Sequence, residues 1–384
     1  MSVTAPQGFV ACGLHCGIRR SSPDLALVRS LPPSTGAAMF TVNRMQAAPV
    51  VVSREHLELA QPQAVVINSG VANAATGVRG ELDARATTAE AARLLDLDTE
   101  QVLVLSTGVI GQPLPLAKVR DGLRLAAAKL SEDGGADAAE AILTTDTRPK
   151  QVAAHGPGFT IGSMAKGSGM IHPELATMLT VLTTDYPLEP GEAIEFLRPA
   201  VEQSFNSISV DGECSTNDAV VLLANGASGA RRDDGAFAGA LGRVCSELAA
   251  QIVADGEGAT MLAEISVTGA ASTPEARAIA RRIATSPLVK TALFGRDANW
   301  GRVLAAAGSA PHNGGFARLD PARVTLSYNG ATVLAAGSPQ RVEPQLDGPS
   351  CRIHLDLGLG DASASYLTSD LSYDYVRINA DYRT

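Results

Sequence analysis

Residues 166–185, KGSGMIHPELATMLTVLTTD, constrain the fold of this chain more than any other stretch. Gly167 and Gly169 loosen the backbone beside Lys166, and Pro173 stands between them and the small residue Ala176. From Thr177 the sequence becomes a run of Thr, Met, Leu and Val, which suits a buried strand. A threonine opening such a strand straight after a loop is where a self-cleaving chain exposes a new amino-terminal nucleophile. Its hydroxyl is inert alone, but an adjacent base activates it. A terminal α-amine, with a reference pKa of about 7.7–8.0, can be that base. A core strand with an incidental threonine accounts for the same run, and on these residues alone that reading is preferred.

The rest of the composition narrows the class. A chain of 384 residues, 45% hydrophobic, buries a large core in two or three domains. Its net charge of -9 and pI near 5.2 oppose a nucleic-acid partner, which calls for a basic face. No apolar run approaches the roughly 18 residues of a membrane span, and the start lacks the order of a signal peptide. The 5 cysteines, an odd number and scattered, do not form a disulfide framework. Cys12, His15 and Cys16 offer three metal ligands without a fourth at a known spacing, so small buried thiols explain them better and no metal is expected. The expectation is a cytoplasmic globular enzyme, or the relic of one, with no membrane partner.

Short apolar runs at 24–29, 38–43, 49–53 and 64–70 read as strands. The small, glycine-bearing segment 68–77 suits a loop, pocket-lining or simply solvated. An alanine-rich helix near 80–95 leads to the strand 101–105, which ends abruptly in SerThrGlyValIleGlyGln, 106–112. Amides just past a strand end can point at a ligand, and glycine lets it come close. Helices near 115–131 and 136–143 precede the hydroxyl-rich turn ThrThrAspThrArgProLys, 144–150. Beyond the central strand, 215–224 has a polar head (Ser215 to Asp218) and a buried-strand tail, and a long helix covers about 234–254. Glu257, between two glycines, either caps a turn or awaits a cation. A strand at 261–268, a helix start at Thr273-Pro274 and a hairpin on Asn329-Gly330 mark a C-terminal unit of about 120 residues.

Several chemistries are disfavoured. There is no GxxxxGK[ST], since Ala165 stands where its glycine belongs before Lys166. No GxGxxG follows a strand, and neither HExxH nor GxSxG occurs.

Taken together, 106–111, 144–150, 166–173, AlaThrMetLeu at 176–179, AspGlyGluGlyAlaThr at 255–260 and the ending at 375–382 resemble the glutamate N-acetyltransferase family, also called ornithine acetyltransferase. The blocks span nearly the whole chain in the family's order. Val71-Ala72 and Ala75 depart from the common pattern, but carry no assigned chemistry.

The resemblance implies an α/β (α+β) fold, a helix–sheet–sheet–helix sandwich similar to, but topologically distinct from, amino-terminal nucleophile hydrolases. It implies a catalytic sandwich over 1–265 and a smaller C-terminal α/β domain over 266–384 whose tail reaches the active site. It implies cleavage between Ala176 and Thr177, and assembly of the two chains as α2β2 or larger. The implied reaction moves an acetyl group from N-acetylornithine to glutamate, giving ornithine and N-acetylglutamate in arginine biosynthesis. By resemblance Thr177 is the nucleophile, Thr107 and Gly108 stabilise the oxyanion, and Thr144, Lys166, Glu257, Asn379 and Thr384 contact substrate. No cofactor is implied, though acetyl-CoA serves some members as a second donor.

The chemistry is consistent with those roles. A preorganised oxyanion donor is worth roughly 2.7–4 kcal/mol, and a Thr107-Gly108 pair after a strand supplies amides and a hydroxyl. Lys166 can pair with the α-carboxylate that both amino acids share. Glu257 suits the side-chain ammonium of acetylornithine and repels the side-chain carboxylate of glutamate, so another group must intervene for glutamate. A self-processing amidase or aminopeptidase, a non-catalytic relative, and a paralogue in a specialised pathway are the alternatives.

Overall fold

The computed structural model describes residues 2–172 and 178–381. Ala176, Thr177 and Thr384 lie outside the described residues. The chain divides into two units. Of the described residues, one holds those up to Asn206 with Glu213–Ile252; the other holds Ser207–Gly212 and residues 253–381.

In the first unit, a 4-stranded sheet runs in the order Phe9–Leu14, Leu25–Ser30, Ala64–Asn68, Val102–Ser106, its last two strands parallel. A 5-stranded sheet runs Thr35–Phe40, Ala219–Ala224, Leu179–Thr184, Phe159–Lys166, Lys150–Gly156, and only the pair 219–224 and 179–184 is parallel. Alternation along the strands gives each sheet an inner set. Phe9, Val28, Ile67 and Leu105 meet Met164, Val181, Val221 and Leu223 in one apolar core. Outside the first sheet, Leu27 and Val66 pack against Ala91, Leu95, Val119 and Leu123 of the helices Gly77–Leu95 and Leu116–Ala128. Outside the second lie the helix Ala193–Gln203 and the helix Asp234–Ala254, joined through Phe196 and Phe237. The layer order is therefore helix–sheet–sheet–helix. The strand Leu179–Thr184 is buried at every position, as its Thr/Val/Leu composition requires.

Two local expectations change. ProValValValSer, 49–53, is not a strand but lies in the helix Ala48–Leu59, with Pro49 in its first turn. Its placement explains why tertiary contact overrides β-branched propensity. The Ser53 hydroxyl donates to Val104 O at 2.7 Å and accepts the Val104 N–H at 2.8 Å, while His56 Nδ1 lies 2.8 Å from Val102 O. The helix thus satisfies the open edge of the strand Val102–Ser106. Secondly, Asp234–Ala254 is long and apolar enough to cross a membrane by length and composition, contrary to the reading of apolar runs above. Within the fold it is one-faced: Phe237, Leu241, Val244 and Leu248 are buried, and Arg243 and Glu247 exposed.

The second unit is built on a 7-stranded mixed sheet centred on Leu262–Ala270, which pairs in parallel with Ser350–Asp356 and antiparallel with Ala362–Ser369. Ile265, Val267, Ile353 and Leu355 pack against Ile279, Ile283 and Val303 from the helices Thr273–Ala284 and Trp300–Gly308. Ser272 caps the first of these by accepting the Glu275 N–H, with Pro274 behind it. The hairpin turns on Asn329 and Gly330, both at positive φ (49° and 85°), as a type I′ turn demands.

Candidate active site

The parallel strands Ala64–Asn68 and Val102–Ser106 end side by side, and the residues that follow interlock. Val71 bridges to both Thr107 and Val109, and Val109 N–H donates to Gly70 O at 3.2 Å. Thr107 N–H donates to Asn68 O at 3.0 Å, so that amide is already engaged and only the hydroxyl of Thr107 remains for a ligand. Among the described residues, neither that hydroxyl nor the Gly108 N–H has a hydrogen-bond partner. Gly108 sits at φ +129°, and a Cβ there would fall 2.3 Å from the carbonyl carbon of Gly70. Only glycine lets the two loops approach this closely.

A third loop, heading the strand Ala219–Ala224, ties this turn to the central sheet. Asn217 Nδ2 donates to Ser106 O at 2.8 Å and to Ala72 O at 2.7 Å. Asp218 Oδ1, next in sequence, accepts the Met178 N–H at 2.9 Å. Asp218 is wholly buried, and its Oδ2 has no hydrogen-bond partner among the described residues. Burial pushes its carboxyl well above the usual range; the Met178 amide and the Lys166 charge pull the other way without cancelling the effect. Sequence reading noticed the polar head 215–218 but assigned it no role.

Thr144 and Lys166 are brought together by Asp146, a residue the sequence offered only as one charge in a turn. Its Oδ2 accepts the Thr144 N–H at 3.0 Å, and its Oδ1 accepts the Gly167 N–H at 2.7 Å. Lys150 Nζ lies 2.7 Å from Oδ1, and Lys166 Nζ 4.0 Å from Oδ2. Burial alone would raise the Asp146 pKa, but the two ammonium groups and these hydrogen bonds outweigh it and hold the carboxyl well below its usual range. Lys166 closes the strand Phe159–Lys166 in register with Leu179, so the cluster sits at the same end of the sheet as Met178.

In the second unit, Glu257 is buried and accepts from Asn379 Nδ2 at 2.7 Å. Asn379 rides on the helix Tyr373–Asp381, whose start is pinned where Ser372 Oγ donates to Gly258 O at 2.6 Å. Gly258, at φ +68°, has no room for a Cβ, which would lie 2.5 Å from Tyr375 N.

In the Cys12–Cys16 segment, buried Asp24 accepts the amides of Cys16, Gly17 and Arg19, and burial pushes the Cys16 thiol up to about 12. Among the described residues, no group of three or more His, Cys, Asp or Glu could hold a metal ion.

The sequence profile of the ArgJ family matches residues 10–384. The "Arginine biosynthesis bifunctional protein ArgJ" of Mycolicibacterium paratuberculosis is 50% identical over 392 residues, covering 99% of this chain and 96% of the relative. That of Symbiobacterium thermophilum is 48% identical over 400 residues, with 100% and 98% covered. The crystal structure of an ornithine acetyltransferase complexed with ornithine, from Mycobacterium tuberculosis, matches 45% of this chain and 94% of its own at 42% identity, with a TM-score of 0.44. With the family profile matched from residue 10 to the end and relatives aligned along almost their whole length, the chain belongs to the ArgJ family.

Proposed function

We propose that this chain is an acyltransferase that cuts itself between Ala176 and Thr177 and then moves an acetyl group from N-acetylornithine to glutamate through an acetyl-Thr177 ester. One observation carries the reading. Two consecutive residues, Asn217 and Asp218, hold the Ser106–Gly108 turn and the Met178 amide in a common frame. A nucleophile one residue before Met178 and a donor turn after Ser106 are the two parts that acyl transfer must fix relative to one another. Membership of the ArgJ family, whose relatives are named for arginine biosynthesis, supports the choice of substrates.

The steps balance as follows. The Thr177 hydroxyl attacks the acetyl carbonyl, and its proton passes to the α-amine created by chain cleavage. The Gly108 amide and the Thr107 hydroxyl donate to the tetrahedral oxyanion. The C–N bond to ornithine breaks, and the amine returns the proton to the leaving nitrogen. The amino group of glutamate then attacks the ester, the C–O bond breaks, and the proton returns to Thr177. Splitting the transfer in this way predicts ping-pong kinetics. Thr144 and Lys166 hold the shared α-carboxylate, and Glu257 with Asn379 the side-chain ammonium; Thr384 is the remaining substrate contact. The two chains assemble as α2β2 or larger, and acetyl-CoA is a second donor to be tested.

Mass spectrometry tests this directly. Purified protein should consist of two chains, the second beginning at Thr177, and Thr177→Ala should remain one. Acetylornithine alone should add one acetyl group at Thr177, which glutamate removes faster than water. Intersecting double-reciprocal lines with no acetylated chain would leave Thr177 as a processing residue only. Release of the acetyl group to water at the same rate with or without glutamate would make the protein an amidase.

A further inference from the structure

Asn68 ends the strand Ala64–Asn68 in register with Ser106, and it is buried. Its carboxamide is used at both ends. Nδ2 donates to Val71 O at 2.8 Å, and Oδ1 accepts the Ser106 hydroxyl at 2.6 Å. The Asn68 carbonyl also accepts the Thr107 N–H, so this residue grips the chain just before Gly108 and the loop facing it. Gly108 lies directly against that loop: a Cβ there would meet Gly70 O and Val71 N, each at 2.6 Å. A shift of the Gly70–Val71 peptide therefore shifts Gly108 with it. Three carbonyls of the loop are engaged in turn. Gly70 O accepts the Val109 N–H, Val71 O accepts from Asn68, and Ala72 O accepts from Asn217 Nδ2 at 2.7 Å. A carbonyl released beside Gly108 would bring the negative end of its dipole there, and would compete for that amide or repel an oxyanion.

Taking the acetyl-transfer reading as its basis, we infer that Asn68 is a positioning residue for the oxyanion turn: its carboxamide ties Ser106 to Val71 across the two strand ends and so holds the Gly108 amide and the Thr107 hydroxyl ready for the charge that develops on the acetyl oxygen. The position needs a donor toward Val71 O and an acceptor toward Ser106 on one planar group, which a carboxamide supplies at any pH. An aspartate has the same shape but, when ionised, only acceptors, and it would set a charged oxygen against Val71 O. When protonated it recovers the donor. Asn68 touches no substrate in this scheme. Its effect therefore belongs to the transition state, and binding of the two amino acids does not depend on it.

The test is acetylornithine–glutamate exchange by Asn68→Ala and Asn68→Asp against wild type, with rates normalised to the fraction of cleaved chain. Asn68→Ala should lose roughly thirtyfold or more in kcat, with KM for both amino acids within about threefold of wild type. Burial raises a carboxyl pKa by up to about 3–5 units, so Asn68→Asp should gain its donor between about pH 9 and pH 6. Its kcat, taken as a ratio to wild type at each pH, should be as low as that of the alanine variant at the alkaline end and climb about fivefold toward the acid end. A space-filling role instead makes the aspartate variant better than the alanine one at every pH, with a ratio that stays flat. That flat ratio, kcat within about threefold of wild type in Asn68→Ala, or a rise in KM as large as the loss in kcat overturns the inference. Should Asn68→Ala fail to fold, the pH profile of Asn68→Asp decides alone: a climbing ratio supports the inference and a flat one overturns it. If wild type releases acetyl to water without passing it to glutamate, the transfer reading fails, and the same criteria applied to hydrolysis judge Asn68. If wild type does neither, the reading and the inference fall together.

Discussion

Asp218 Oδ1 accepts the Met178 N–H at 2.9 Å, and Met178 O in turn accepts the Ala219 N–H at 3.1 Å, so the residue after position 177 is held on both sides. The other carboxyl oxygen is buried and without a partner among the described residues. Asp218→Asn keeps the acceptor and removes the buried acid. Because burial raises the folded pKa of Asp218, its contribution to stability is fully present below the unfolded value of about 3.9 and is lost as pH rises through the folded value. The Asn variant should therefore melt higher than wild type at pH 7, by roughly 2–4 °C for a gain of about 1 kcal/mol, and the gap should close toward pH 4. Asp218→Ala should instead melt lower and cut its own chain at least tenfold more slowly. Thermal melts across that pH range with parallel mass spectra check both.

Gly108→Ala should be far more damaging than its one added carbon suggests. The new Cβ would stand 2.3 Å from Gly70 C and 2.6 Å from Val71 N, in a backbone conformation (φ +129°) that L-residues avoid. The loop must move, and with it the proposed oxyanion amide. We expect kcat/KM to fall at least a hundredfold, as for loss of an oxyanion donor, with most protein still folded. Thr107→Ser, which keeps the hydroxyl, should stay within tenfold of wild type, and Thr107→Ala should lose roughly a hundredfold in kcat. Equal activity in the Ser and Ala variants would mean the hydroxyl plays no part.

What sequence could disclose follows from the range of each interaction. Local signals were legible: the type I′ turn at Asn329-Gly330, the helix start near Thr273-Pro274 and the buried strand Leu179–Thr184 each depend on neighbours within a few residues, although the cap is Ser272 and not the expected Thr273. The strand expected at 49–53 failed because Ser53 and His56 complete the edge of a strand some 50 residues away, which propensity cannot register. The amide of Thr107 was expected to face a ligand, yet it is engaged by Asn68 O, the end of a parallel neighbour. Asp146 and Lys150 stood in the sequence only as charges in a turn, because their proximity to Lys166 depends on the pairing of the strands Lys150–Gly156 and Phe159–Lys166.

The second unit carries its own titratable core group. Lys290 is buried, donates to Thr368 Oγ1 at 2.9 Å and to Ser369 O, and burial depresses its pKa to about 7 against the pull of Asp370 and Asp211. The folded value lies below the unfolded value of about 10.4, so between them the unfolded chain binds the extra proton. Stability should accordingly rise with pH from about 7 toward 10. Lys290→Met should flatten this slope. Urea midpoints measured across that range decide it; a wild-type midpoint that falls as pH increases would contradict the assignment.

Glu257 offers the sharpest test of substrate selection, because its carboxylate should help one amino acid and hinder the other. Asn379 Nδ2 donates to Glu257 Oε2 at 2.7 Å and to Tyr375 O at 3.0 Å, which fixes the carboxylate's orientation. Glu257→Gln retains an oxygen for Asn379 and a nearly identical shape, so it changes charge with little loss of packing. Under the proposed reaction the side-chain ammonium of acetylornithine loses its counter-charge, and KM for that substrate should rise about tenfold, the worth of one charge-assisted hydrogen bond. Glutamate loses a repulsion instead, so its KM should stay level or fall. Ping-pong kinetics give each KM separately from the same data set. A parallel rise in both would mean that Glu257 shapes its surroundings without reading side-chain charge.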